Sequence, residues 1–279
     1  MTFPQRLVEI AYAKINLALH VRRRRPDGYH DLESLFAFAV DGDILSAEPS
    51  DALSLTISGP FAAGLTTNGD NLVMRAALAL RSAFGITAGA ALSLEKNLPV
   101  ASGIGGGSAD AAAALRMLSR LWGVDRNAPQ LSEIAIKLGA DVPACLASVT
   151  LFGDGKGDVL TSVDVPALSG TPLLLVNPGV ALSTAQVFAR WDGVDRGALD
   201  RAQPFTGRND LTAAAIMLVP EIGTIVDLLI GLPGITLVRM SGSGATCFAL
   251  FESLAARDSA ASLVKQALPY VWCLATEIK

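Results

Sequence analysis

The stretch 98-LPVASGIGGGSADAAAAL-115 puts four glycines, Gly103, Gly105, Gly106 and Gly107, into five positions, then Ser108, then a run of alanine and leucine. Glycine loses more backbone freedom on folding than any other residue, so such a cluster needs a compensating reason: positive φ angles, or close approach of something large. The residues that follow are helix formers, and their spacing predicts a helix from Ser108 to about Trp122 that buries Leu115, Leu118 and Trp122 and ends at Gly123. A glycine loop that opens a helix presents unpaired backbone N–H groups, and the helix dipole favours negative charge in front of them. A phosphate group is the natural occupant.

Two common phosphate loops are excluded by inspection. A Walker A loop carries Lys and then Ser or Thr after its last glycine, and 103-GIGGGSA-109 has no lysine; the later GDGKGD has neither the spacing nor a following helix. A dinucleotide fingerprint needs glycine where Ser108 stands and an acidic residue ending a second strand about 20 residues on. Small-residue loops also serve close helix packing, so the rest of the chain has to decide.

Ile10–Val21 alternates partly and is β-rich, and Pro26-Asp27-Gly28 supplies turn chemistry before an apolar segment at Leu32–Val40, which predicts a hairpin. Strands are expected at Leu53–Ile57 and Ala90–Lys96, and a helix over Asn71–Phe84 ending at Gly85. A further helix runs from about Gln130 to Leu138 and stops at Gly139; Asp141 lies just past it, and Pro143 is expected to keep the helix from resuming. After Val149–Phe152 and the GDGKGD turn, strands are predicted at Leu173–Val176, near Thr236–Arg239, through Phe248–Phe251 and at Val271–Ala275. Helices are predicted from Ser183, over Leu211–Ile230 with a break at Pro220, and over Leu254–Leu268. Helices and strands alternate without the regular repeat of a barrel, which makes the chain α/β, or α+β, in two parts. We expect a domain over residues 1–160 and a second over 161–279.

Composition limits the classes further. Of 279 residues 51% are hydrophobic and 17% charged, enough for a large buried core and too apolar for long disordered tails. The longest uncharged stretch, Val165–Ala189, is broken by Pro166, Pro172 and Asn177-Pro178-Gly179, so no transmembrane span is expected. The opening MTFPQRLVEIAYAKIN lacks a basic region followed by an apolar one, so a cytoplasmic protein without a secretory signal is expected. Three cysteines and two histidines give no metal-binding spacing. The formal net charge of −4 gives no general attraction for nucleic acid, and the run Arg22–Arg25 reads as a solvated face or as help with an anionic ligand.

PVASGIGGGSADAA resembles the phosphate loop of the GHMP small-molecule kinases, the family named for galactokinase, homoserine kinase, mevalonate kinase and phosphomevalonate kinase. The segments 12-YAKINLALHV-21 and 240-MSGSGATCFALF-251 resemble that family's other two motifs in the expected order. The likeness runs in blocks from about residue 10 to 251. It implies an amino-terminal domain like the second domain of ribosomal protein S5, a ferredoxin-like carboxy-terminal domain, and ATP and substrate meeting in a cleft. It also implies transfer of the ATP γ-phosphate to an alcohol, with magnesium required. DGYH, LGADVPACL and SGSGA point within the family to a substrate carrying a cytidine diphosphate, phosphorylated on a tertiary 2-hydroxyl.

By this resemblance Asp141 takes the hydroxyl proton and Lys14 sits beside it. Gly103, Gly105, Gly106, Gly107 and Ser108 wrap the ATP phosphates, while Asn71, Leu72 and Lys96 line the nucleoside end. Tyr29, His30 and Phe188 hold the cytosine, Asn16 and Thr184 serve the substrate, and Gly242 brings backbone near the reacting centre. No protein ligand for the magnesium is assigned. Without the likeness, Asp141 reads as a turn residue, Lys14 as a strand-edge lysine, Lys96 as an ordinary exposed one, and Tyr29 and His30 as surface or packing residues. The alternatives are another kinase of the family, of the homoserine or mevalonate type, or a catalytically silent nucleotide- or RNA-binding module. The small-molecule substrate leaves monomer and homodimer open, with no nucleic-acid or membrane partner expected.

Overall fold

The structure, a computed structural model, describes residues 6–166 and 168–279. Residues 1–5, where the reading of the leader begins, lie outside it.

Strands β1 (Leu7–Arg24) and β2 (His30–Ser50) form the expected hairpin around Pro26-Asp27-Gly28 but run well beyond the apolar segments that announced them. They are followed by β3 (Leu53–Ser58), α1 (Leu72–Phe84), β4 (Gly89–Glu95), α2 (Gly106–Leu121), α3 (Pro129–Leu138) and α4 (Val142–Ala147). Next come β5 (Leu151–Gly155), β6 (Val159–Ser162), β7 (Pro172–Asn177), α5 (Thr184–Ala189), a 3-10 turn at Pro204–Thr206, α6 (Thr212–Leu218) and α7 (Glu221–Ile230). The chain closes with β8 (Ile235–Met240), β9 (Cys247–Phe251), α8 (Leu254–Ala267) and β10 (Trp272–Glu277).

The chain divides into two compact units that do not follow its order. The first holds residues 1–13, 41–100 and 105–148; the second holds 14–40, 101–104 and 149–279. In the first, the Ile44–Ser50 part of β2 pairs antiparallel with β4, and β3 runs parallel to β4. Helix α2 packs on α1 and α4, and its alanines, Leu115, Met117 and Leu118 are buried. Asn71 caps α1 by accepting the Val73 N–H at 2.9 Å, and Gly85 ends it in the left-handed conformation at the position where the sequence predicts the end.

In the second unit, the Leu32–Phe36 part of β2 pairs antiparallel with β5, which continues the antiparallel path to β6. A separate antiparallel sheet has the order β10-β7-β9-β8, with α5 to α7 following its first strand and α8 its third, the ferredoxin-like arrangement. Its core gathers Leu174, Val176, Ile222, Ile225, Leu229, Phe251 and Val264.

Two expectations are corrected. Helix α2 begins at Gly106, with left-handed Gly105 as its N-cap, so Ser108 lies within the first turn; Gly106 and Gly107 themselves adopt helical backbone. Pro143 does not stop the chain from turning helical again. It occupies the first turn of α4, where a missing N–H costs nothing, and Asp141 takes the N-cap position without a side-chain capping bond. Among the described residues no helix is long and apolar enough to cross a membrane. Cys145 and Cys247 are buried, Cys273 is partly buried, and none of the three is in a disulfide among the described residues.

Candidate active site

In the first unit Gly105 leads into α2 without a side-chain cap, so the leading N–H groups of a 16-residue helix are left for an external acceptor. Gly107 is exposed, and Leu72 Cδ1 lies 3.4 Å from where a Cβ on Gly107 would sit, which brings Leu72 and the loop together. Asn71 is fixed from both ends, since its amide also donates to Thr66 O at 2.8 Å.

Lys96 is not the exposed lysine that its isolated reading suggests: it is 3% exposed, and its ammonium donates to Asp43 Oδ2 and, at 2.7 Å, to Asp110 Oδ2. Asp43 Oδ1 meanwhile accepts the N–H groups of Asn97 at 2.6 Å and Leu98 at 2.8 Å. A Cβ added at Gly106 would stand 3.1 Å from the Lys96 ammonium, so this buried charge lies directly beneath the first turn of α2. Burial is the strongest influence on Lys96 and works against its charge, but Asp110 and Asp43 outweigh it and hold the ammonium above its usual range. Burial likewise dominates at Asp110, pushing it up to about 7 against the pull of Lys96, with Asp43 adding to the rise. Neither Asp43 nor Asp110 was singled out in the sequence. Asp110 had a readable signal, an isolated acid among the alanines of an apolar helix face.

Linkage fixes a sign for this group. The Asp110 carboxyl binds its proton more tightly folded than unfolded, so its contribution to stability is complete below about pH 4 and is lost as pH rises through about 7. Asp110→Asn removes that dependence. Thermal melts from pH 4.5 to 7.5 should show a steeper fall in Tm for the unaltered protein than for the variant, whereas parallel curves would mean that Asp110 does not titrate there.

Arg116, which no motif marked, positions α4. Its Nη1 donates to Cys145 O at 2.7 Å and to Ser148 Oγ at 3.1 Å, while its Nε and Arg120 grip Glu9. The helix that carries Asp141 at its N-cap is therefore held at its other end.

The second unit gathers another group of predicted residues. Lys14, 3% exposed, donates from Nζ to Asn16 Oδ1 at 3.0 Å and lies over the Phe36 ring, and its backbone N–H bonds Ile104 O. Asn16 passes the chain on to Ser34 Oγ at 2.8 Å, and Ser34 to Ala18 O at 2.7 Å. The Asn16 N–H meets Ser241 Oγ at 3.2 Å, and Ser241 Oγ donates to Gly103 O at 2.9 Å. Gly103 at φ +78° and Gly242 at φ +56° are both left-handed, and a Cβ on Gly242 would lie 2.9 Å from Gly103 O and 3.3 Å from Asn16 Oδ1. Thr184 joins this group through a 2.9 Å bond with Ser243. Lys14, Asn16 and Gly103 thus share one polar network through Ser241, with Gly242 packed against it and Thr184 bonded to the neighbouring Ser243.

The aromatic residues form a second cluster in that unit. The His30 ring lies 4.9 Å from Phe188 and 5.6 Å from Trp191, centroid to centroid, while Tyr29 is 57% exposed with Lys156 over its ring. Trp191 was missed because only the fold brings it to His30. Burial, and then the charge of Arg24, lower the His30 pKa, so the ring is neutral at pH 7. Three of the four arginines in the basic run are in ion pairs, Arg22 with Glu33 and Asp195, Arg23 with Asp31, and Arg25 with Asp27 and Asp31.

A helix start without a cap, floored by glycine, fits a polyphosphate. Among the described residues no cluster of three His, Cys, Asp or Glu side chains is arranged to hold a metal.

Against known proteins, residues 71–148 match the model of the GHMP kinases N terminal domain and residues 193–269 that of the GHMP kinases C terminal domain. The chain belongs to the GHMP kinase family, and with it to the ATP-using small-molecule kinases. It is similar to the 4-diphosphocytidyl-2-C-methyl-D-erythritol kinase of Rhizorhabdus wittichii, with 55% identity covering 97% of this chain and 94% of the relative. It is also similar to the enzyme of that name from Novosphingobium aromaticivorans, with 50% identity over 95% and 90% of the two chains. Among solved structures it is similar to a 4-(cytidine 5'-diphospho)-2C-methyl-D-erythritol kinase, with a TM-score of 0.81, 32% identity and coverage of 97% and 99%.

Proposed function

We propose that this protein transfers the γ-phosphate of ATP to the 2-hydroxyl of 4-diphosphocytidyl-2-C-methyl-D-erythritol, a step of the non-mevalonate isoprenoid route, in the cytoplasm. The observation that carries the proposal is the 55% identity, over 97% of the chain, to a kinase that bears this substrate's name. The likenesses to a solved homoserine kinase, 17% identical, and a solved mevalonate kinase, 10% identical, speak for the fold alone, and a silent binding module would have no use for both Asp141 and Lys14.

Phosphoryl transfer asks the protein for positioning and charge stabilisation. In this reading the N–H groups at the start of α2, with Gly103, Gly105, Gly106, Gly107 and Ser108, hold the phosphates, and Asn71, Leu72 and Lys96 serve the nucleoside end. Magnesium, when bound with ATP, neutralises charge on the β- and γ-phosphates. The substrate hydroxyl loses its proton to Asp141 as its oxygen bonds the γ-phosphorus, and the bond to the ADP oxygen breaks. Lys14 orients that hydroxyl. Residues 1–160 would form the catalytic domain and 161–279 the second, in a monomer or homodimer.

Tyr29, His30 and Phe188 take the cytosine in this reading, with Asn16, Thr184 and Gly242 on the substrate side. Stacking on a base contributes about 1–3 kcal/mol, so Tyr29→Ala should raise the substrate Kd about 5- to 150-fold in a calorimetric titration. An unchanged Kd would place Tyr29 outside the site. Phosphorus NMR of the reaction tests the whole assignment: a new monoester signal beside an intact diphosphate is expected, and consumption of ATP without one would overturn it.

A further inference from the structure

The buried ions under the glycine loop are placed to do more than satisfy one another. Asp43 binds the backbone of Asn97 and Leu98, where the chain leaves β4 for the loop. Asp110 projects from α2 one turn beyond Gly106, where the chain leaves the loop. Lys96 bonds both carboxylates, so the entry and the exit of the loop are tied through a single ammonium. The Lys96 backbone is fixed as well, its N–H to Ser58 O at 2.8 Å and its carbonyl from the Phe61 N–H at 3.2 Å. All of these groups lie in one compact unit.

A tie of this kind is a poor way to gain stability, because a buried triad recovers little more than its own desolvation cost and apolar side chains of similar size would serve as well. One acceptor is even left over: Asp110 Oδ1 is buried with no hydrogen-bond partner among the described residues. What the triad does supply is a fixed separation between the two ends of a segment rich in glycine, whose freedom would otherwise have to be lost each time a ligand bound.

We propose that Asp43 and Asp110 are positioning residues for the nucleotide, acting through Lys96 to hold the glycine loop in its phosphate-binding shape before ATP arrives. This rests on the reading of the loop as the ATP site. Neither carboxylate touches the nucleotide. Their loss is felt as weaker ATP binding by a protein that is otherwise folded.

The test is direct binding of the non-hydrolysable analogue AMP-PNP, followed by calorimetry without the second substrate, together with a thermal melt for each variant. Asp110→Ala should weaken binding about 10-fold, and Asp110→Asn, whose amide can still accept from Lys96, should return it to within about 3-fold of the unaltered protein. In turnover the same Asp110→Ala should raise KM for ATP and leave KM for the alcohol unchanged. A purely structural role would lower Tm and the active fraction without altering either constant. If Asp110→Ala does not fold, Asp43→Asn decides: it keeps an acceptor for the two N–H groups, loses the charge opposite Lys96, and should bind about 5-fold more weakly. Unaltered affinity in a folded variant would overturn the proposal, while failure of the unaltered protein to bind the nucleotide at all would instead overturn the reading of the loop.

Discussion

Asp141→Asn should lower kcat by about 10²–10⁴-fold while ATP affinity stays within about two-fold, since the amide matches the carboxylate in shape but cannot take a proton. In barrier terms that is about 3–5 kcal/mol. The variant should fold normally. Asp141 occupies the N-cap of α4 without using its side chain as a cap, asparagine serves equally well there, and Arg116 secures the far end of the helix. Stopped-flow or steady-state kinetics beside a thermal melt separates chemistry from folding. Full activity in the variant would remove Asp141 from the reaction, and a large fall in Tm would make it a structural residue.

The second large effect belongs to Gly103. Its φ of +78° is a conformation that costs an L-residue about 1–2 kcal/mol. A Cβ there would also meet backbone: Ser241 O at 2.5 Å, Gly244 O at 2.7 Å and Gly244 N at 2.9 Å. No rotamer relieves a clash with main chain, and overpacking of this kind adds about 1–3 kcal/mol. Gly103→Ala should therefore destabilise by about 2–5 kcal/mol, a fall in Tm of roughly 3–9 °C for a chain of this size. Gly123→Ala is the control, because Gly123 has φ +69° but open space around it, and should lose only the backbone share. Equal melting temperatures for the two variants would mean that Ser241–Gly244 does not pack on Gly103 as described.

The sequence made legible whatever depends on neighbours along the chain. The stop at Gly85, the hairpin at Pro26-Asp27-Gly28 and the break at Pro220 each rest on a few consecutive residues, and the structure has them all. The start of α2 was placed two residues late because a glycine run has poor helix propensity, and tertiary packing overrode it. The helix after Pro143 was missed because proline was read as a stop, although its position in a first turn makes it a start. Long-range polar contacts were out of reach. Lys96 finds Asp43 across 53 residues, and Asn16 finds Ser241 across 225. No local pattern announces either pairing. For that reason an apparently ordinary lysine turned out to be the centre of a buried triad.

The central claim is a reaction, and ADP release measures it most directly. The purified protein would be given Mg-ATP with 4-diphosphocytidyl-2-C-methyl-D-erythritol, and in parallel with mevalonate, homoserine and galactose, with Asp141→Asn as the control. Turnover with the cytidyl substrate alone, lost in the variant, is the predicted result. Turnover with one of the other alcohols, or none with any of them despite ATP binding, would contradict it.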